Sequence, residues 1–243
     1  MNTKKILLLL AESLFIILPL FSKDVWDKPF NQWNRGEILK ILNNSPWAHV
    51  ETIGSAMERD LESGRIGDAG AGARGERENF NKFTIRFFSA LPIREAYVRM
   101  FQISNNYDQM MPEQRQEFDA RFNRALGLDV KDRVIVAVDF ASSDPDTNRD
   151  MKHFFDISTA ETLKQDVYLI SQGLGRIELK EYYPPSPDGT GAKFVFPRTI
   201  NGTAIVQAGD REINLEFYVP PVDQKLLVKF KAAQLSYRGE LNY

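Results

Sequence analysis

The chain contains no cysteine among its 243 residues. That absence excludes disulfide frameworks, thiolate zinc sites, iron–sulfur clusters and cysteine nucleophiles together. Histidine is almost as scarce, with only His49 and His153 present, so a histidine-rich metal centre cannot be assembled. Neither sign of charge dominates: 31 Lys and Arg stand against 33 Asp and Glu, for a net charge of −2. Nucleic-acid binders neutralise many phosphates and carry a basic surplus, so that class of partner is set aside. Past Phe21 no apolar run approaches the roughly 20 residues that a spanning helix needs. Catalytic signatures are missing too. There is no Gly-x-Ser-x-Gly elbow, no Ser-x-x-Lys and no His-Glu-x-x-His. No Gly-Lys-Ser/Thr closes the glycines between Gly64 and Gly75 into a phosphate loop. What is present is an ordinary globular composition, 43% hydrophobic and 26% charged, in a chain long enough to bury a core without a metal or disulfide.

The N-terminus carries a different kind of information. Met1-Asn2-Thr3-Lys4-Lys5 is a short basic start, followed by an apolar run from Ile6 to Phe21 that only Glu12 and Ser13 interrupt. Polar Ser22-Lys23-Asp24 ends it. This is the layout of a secretory signal peptide over residues 1–22, with an uncleaved anchor as the alternative because Leu20 and Ser22 make a mediocre cleavage site. Removing the two lysines and one glutamate of that segment takes the net charge from −2 to −3. The expectation is a periplasmic or secreted protein, with residues 23–243 forming a single mature domain and no membrane span after signal removal.

Within that domain, Asn34-Arg35-Gly36-Glu37 has the spacing of a capping box, and Ile38, Leu39, Ile41 and Leu42 continue it as a helical stripe. Trp47–Ile53 reads as a strand. Residues 54–79 lose all periodicity among glycines and mixed charges, the pattern of a flexible loop. Phe83, Ile85 and Phe87 alternate as a strand. Pro92 opens a helix with Ile93, Ala96, Tyr97, Met100 and Phe101 at helical spacing. A further helix starts near Pro112, carries Phe118, Phe122 and Leu126 on one face, and stops at Gly127. Val134–Phe140 reads as a strand buried on both faces. Ser158-Thr159-Ala160-Glu161 reads as a capping box for one short helix. Strand patterns follow at Val167–Ile170, Ile177–Tyr183, Phe194–Phe196, Ala204–Gln207, Ile213–Val219 and Leu226–Leu235, with Ala208-Gly209-Asp210 as a hairpin tip. The expected fold class is α+β: an antiparallel β-sandwich-like sheet with two or three helices in the N-terminal half.

Three groups of residues could carry chemistry. Asp144, Asp146, Asn148 and Asp150 fall at positions 1, 3, 5 and 7 of a calcium loop, but Arg149 stands where the turn glycine belongs and Phe155 where the bidentate glutamate belongs. A solvated turn uses the same residues and is preferred. Asp139 ends an apolar strand close to these carboxylates and to His153, an arrangement a hydrolase could use for acid–base work; the plainer reading is a strand leaving the core. Trp26, Trp33 and Trp47 lie near the mature N-terminus with Phe30. They are candidate binding residues for stacking on sugars, although packing as the staples of a core is the preferred reading. No metal, cofactor or catalytic residue is expected.

Lys28-Pro29-Phe30, Trp33, Glu37–Leu42, Ser45-Pro46-Trp47-Ala48, Ser89–Ala96 and Phe196-Pro197-Arg198 together resemble a group of exported bacterial hypothetical proteins. The resemblance covers most of the mature chain. It implies export and a bacterial origin, and its motifs name no reaction. The expected function is an exported non-enzymatic binding or structural module of the bacterial envelope, its partner an unknown protein or an envelope glycan. The alternative is a secreted hydrolase using acidic residues near Asp139–Asp150.

Overall fold

The computed structural model describes residues 24–54, 80–187 and 189–243. The expected signal segment and, apart from Gly54, the expected 54–79 loop lie outside them. In chain order the helices are α1 (Arg35–Asn43), α2 (Leu91–Ser104), α3 (Pro112–Leu126), α4 (Pro145–Ile157) and α5 (Ala160–Leu163). The strands are β1 (Ala48–Gly54), β2 (Phe80–Phe87), β3 (Arg133–Ser142), β4 (Val167–Ser171), β5 (Gly175–Glu178), β6 (Glu181–Tyr183), β7 (Ala192–Pro197), β8 (Thr199–Ile200), β9 (Thr203–Ala204), β10 (Glu212–Val219), β11 (Gln224–Lys231), β12 (Ser236–Tyr237) and β13 (Glu240–Leu241). All pairings are antiparallel, in a first sheet β1-β2-β3-β7-β6, a second sheet β11-β10-β4-β5, and two short ribbons. The fold class is α+β.

The two sheets face each other across one buried cluster. Phe194 of β7 meets Phe217 of β10 with ring centroids 5.3 Å apart, and Phe87 of β2 meets Phe230 of β11 at 4.4 Å. These contacts follow from period-2 alternation: Ile213, Leu215, Phe217 and Val219 are buried while Tyr218 between them is exposed. β3 is buried from Val134 through Val138, because β2 and β7 flank it in the sheet and both of its faces are covered. On the face away from the second sheet, Arg86 donates through Nε to the Leu42 carbonyl at 2.6 Å and through Nη2 to Asn43 Oδ1 at 3.0 Å. It thereby caps the end of α1, where helical carbonyls lack partners. Arg94 does the same for α3, donating to the Ala125 and Leu126 carbonyls at 3.1 and 2.6 Å.

The Asn34 capping box forms as expected, with Asn34 Oδ1 accepting from the Glu37 amide at 3.0 Å and Glu37 Oε2 accepting from the Asn34 amide at 2.9 Å. Elsewhere local details differ. The second box sits one residue on, with Thr159 and Thr162 as reciprocal partners. Ile177–Tyr183, expected as one strand, divides at Leu179-Lys180 between the second sheet and the first. Leu179 is buried between the sheets, so the chain crosses from one layer to the other there. Ala208-Gly209-Asp210 is a loop turn; the hairpin tip of this region is Pro220–Val222, joining β10 to β11. α2 is buried around its first two turns, with Arg94 and Glu95 buried alongside Ile93. Among the described residues no helix is long and apolar enough to cross a membrane.

Candidate functional site

The Asp144–Asp150 segment is neither a calcium loop nor a turn. It is the start of α4, with Asp144 as the N-cap and Pro145 in the first helical turn, the position where proline's missing N–H costs nothing. The Thr147 amide donates to Asp144 Oδ2 at 2.8 Å, and the Thr147 hydroxyl reaches the same oxygen. Those bonds hold the Asp144 carboxyl below its usual range. Asp146 and Asp150 both pair with Arg149, at 2.8 and 3.4 Å, and Asn148 closes back on the carbonyls of Ser142 and Asp144. Oxygens at alternate positions diverge around a helix, so they cannot converge on one ion. Among the described residues no group of three His, Asp or Glu could hold a metal. Asp139 is exposed, at the point where β3 leaves the core. His153 lies on the exposed side of α4. Calcium is expected to leave the melting temperature unchanged, while Asp144→Ala lowers it by a few degrees through the lost cap; a calcium-dependent rise abolished by Asp146→Ala would reverse this assignment.

The tryptophans separate into two roles. Trp33 and Trp47 are 0% exposed and have no face to offer a ligand, which corrects their candidacy as binding residues. Trp33 Nε1 donates to the Lys28 carbonyl at 3.2 Å and Trp47 Nε1 to the Asn242 carbonyl at 2.6 Å. Trp26 is half-buried, standing edge-on to Trp47 at 5.5 Å and 83°. It projects into a surface concavity.

That concavity begins at the open side of the sandwich. β1 ends the first sheet and β11 ends the second, and His49 meets Phe230 between them at 4.8 Å. A cleft of about 640 Å³ lies there, bounded by Asp24, Trp26, Pro46, His49, Lys229 and Lys231. Trp26 and Asp27 also line a hollow of about 320 Å³ that Lys28, Pro29 and Arg238 complete. Pro29 and Arg238 belong in turn to a third hollow of about 550 Å³ against α2 and α3. Shared wall residues make the three hollows neighbours, together called the groove. Three of its cationic side chains are held by partners: Lys28 by Glu37 at 2.5 Å, Arg99 by Asp108 at 3.5 Å and Arg238 by Glu95 at 2.9 Å. Tyr107 donates to both oxygens of Asp119 at 2.9 Å, and burial and the neighbouring carboxylate raise its phenol pKa.

Burial holds the His49 imidazole below its usual pKa. The unfolded chain therefore binds the proton more readily, so stability rises with pH across this window. It falls as pH drops through the unfolded histidine value of about 6.5 and levels off below the folded one. The melting-temperature difference between about pH 7.5 and about pH 5.5 is expected to shrink in His49→Gln; an undiminished difference would assign the effect to other groups.

Sequence reasoning missed Glu95 and Arg238. Glu95 sits off the apolar stripe of α2, and nothing in its local pattern marks it as buried. Arg238 had a readable signal: Arg238-Gly239 is a two-residue hairpin turn with a glycine in second place, between β12 and β13, in the manner of X-Gly hairpins. No known protein family, curated protein or solved structure matches the chain. The fold and its hollows together define a two-sheet α+β protein with one cleft at the open side of its sandwich and two neighbouring hollows, the farther one against α2 and α3.

Proposed function

We propose that the protein is an exported, non-enzymatic binding module of the bacterial envelope, and that its groove takes a stretch of envelope glycan. The carrying observation is the adjacency of three hollows, which share Trp26 and Asp27 or Pro29 and Arg238 as walls; neighbouring hollows suit successive units of a polymer better than a single small molecule. Trp26 offers an aromatic surface at the junction of the first two, and glycans stack on such surfaces while their hydroxyls bond to polar walls. Export is supported by the Lys4-Lys5 start and the apolar run to Phe21. A protein partner adding a strand to a sheet edge has less support. β11, at one edge, presents Lys225, Lys229 and Lys231 on its exposed face, and lysines of this kind guard edges against added strands. β6 and β5, at two other edges, have three and four residues. The hydrolase alternative has no converging carboxylates in its favour, since Asp144 is a cap and Asp146 and Asp150 are ion-paired with Arg149.

The test is co-sedimentation of the purified 23–243 chain with insoluble glycans, peptidoglycan sacculi among them. Retention is expected, and Trp26→Ala should weaken it about 3- to 10-fold, the equivalent of one aromatic contact. No retention on any of them would overturn the glycan reading. Release of soluble reducing ends during incubation would overturn the non-enzymatic one.

A further inference from the structure

We propose that the hollow walled by Trp26, Asp27 and Arg238 is a subsite for a neutral sugar residue, with Arg238 as hydroxyl donor and Asp27 as hydroxyl acceptor. The inference rests on the glycan reading above and narrows it to a ligand class. It begins with the backbone of Arg238. Its φ is +54° and that of Gly239 is +83°, so both turn residues occupy the left-handed region. An L side chain at such a position costs about 1–2 kcal/mol, and asparagine, aspartate or glycine is the usual occupant of the first turn position. The side chain is what distinguishes arginine here.

That side chain is held at one end and open at the other. Arg238 Nη2 donates to Glu95 Oε1 at 2.9 Å; the Glu95 side chain is 5% exposed and the Arg238 side chain 57%. The second Glu95 oxygen accepts from the Tyr237 hydroxyl, whose pKa burial and that bond push far above the ordinary phenol value. The guanidinium carbon lies 4.7 Å from the centre of the Tyr237 ring. Nε and Nη1 have no acceptor among the described residues, and the side chain forms a wall of two adjoining hollows. Glu95 is thus a positioning residue: it fixes one arm of the fork and leaves Nε and Nη1 without a protein acceptor on a side chain that walls the groove.

Charge then decides the ligand class. Arg238 is balanced by Glu95 and Lys28 by Glu37, which leaves Asp27 as the uncompensated charge of the hollow. Asp27 accepts through Oδ2 from the Asp24 amide at 2.8 Å, leaving Oδ1 for a ligand. In the neighbouring cleft Lys229 and Lys231 stand against Asp24 and Asp27. A groove without positive surplus does not attract a uronate or phosphate polymer. A polyhydroxylated neutral ring satisfies a fixed donor and a fixed acceptor together and lays its apolar face on Trp26.

The experiment is calorimetric titration of the 23–243 chain with three soluble pentamers: N-acetylglucosamine, β-linked glucose and galacturonate. At least one neutral pentamer is expected to bind about tenfold or more tighter than galacturonate. Its affinity should change less than about twofold between about 50 and about 500 mM salt, because screening acts only on net charge. Arg238→Asn, which tolerates the left-handed backbone, should weaken that binding about tenfold, with folding checked by thermal melting. Arg238→Lys, which keeps a cation beside Glu95 but loses the planar fork, should weaken it as well. Galacturonate binding equal to or tighter than both neutral pentamers would overturn the neutral subsite while leaving the glycan reading standing. Binding unchanged in both Arg238 variants but lost in Trp26→Ala would remove Arg238 from the site. No binding of any pentamer, together with no retention on insoluble glycans, would overturn both readings; retention on insoluble glycans with no pentamer bound would overturn the neutral subsite alone.

Discussion

Trp47→Ala is expected to lower the stability of the folded protein by about 3–5 kcal/mol, the range for deleting a fully buried large aromatic. For a domain of this size that corresponds to a fall in melting temperature on the order of 10 °C. The indole joins three parts of the chain. It stands edge-on to Trp26 at 5.5 Å and to Tyr237 at 6.0 Å, and its Nε1 donates to the Asn242 carbonyl at 2.6 Å. Asn242 in turn accepts from the Leu91 amide at 2.6 Å through Oδ1, at the first residue of α2. Losing the indole therefore leaves a cavity and an unpartnered carbonyl together. Trp47→Phe should recover most of the packing and forfeit the hydrogen bond, for a cost of about 1–2 kcal/mol. Below their melting temperatures, both variants should still be retained on glycan, because Trp47 has no exposed face. Normal stability with lost binding would place Trp47 in the ligand site.

The contrast between Trp47 and Trp26 illustrates what the sequence could and could not convey. Three tryptophans near one end announce an aromatic cluster, but which of them meets solvent depends on how the last residues of the chain pack back on the first. Elements governed by local chemistry were legible. The Asn34–Glu37 box and the alternation along Ile213–Val219 are properties of neighbouring residues. The start of α4 was misread because an Asp-Pro pair with alternating oxygens serves a turn and a helix N-terminus equally well. Met151 and Phe155, spaced four apart and both buried, were the deciding helical signal. The division of Ile177–Tyr183 had no local signal, since each half has strand-like residues and only the opposing sheet determines where Leu179 must be buried. The groove was illegible for the same reason on a larger scale. Its walls come from the 24–30 turns, the Pro46–His49 stretch, α2, α3, β11 and the Arg238 hairpin, so three regions far apart in sequence must meet before it exists.

Gly191→Ala is the second large expected effect, and it comes from a residue that carries no side chain. Gly191 precedes β7 with φ at +81°, and the next residue, Ala192, pairs with Val138 of β3. A Cβ built on Gly191 would stand 2.3 Å from the Val138 carbonyl oxygen, 2.7 Å from its carbon and 2.9 Å from Asp139 Cα. All three are backbone atoms of a central strand, so relief requires moving β7 away from β3. Overpacking of this kind costs about 1–3 kcal/mol, and the left-handed backbone adds about 1–2 kcal/mol. The sum, about 2–5 kcal/mol, should appear as a melting-temperature loss comparable to that of Trp47→Ala. Gly189 supplies the internal control. Its φ is +69°, yet a Cβ there would meet nothing within 4 Å, so Gly189→Ala should cost only the backbone part, about 1–2 kcal/mol. The difference between the two variants in chemical denaturation isolates the steric contact between β7 and β3. Equal losses would mean that Gly191 matters for its dihedral angle alone and that the β7–β3 seam can open to admit a methyl group.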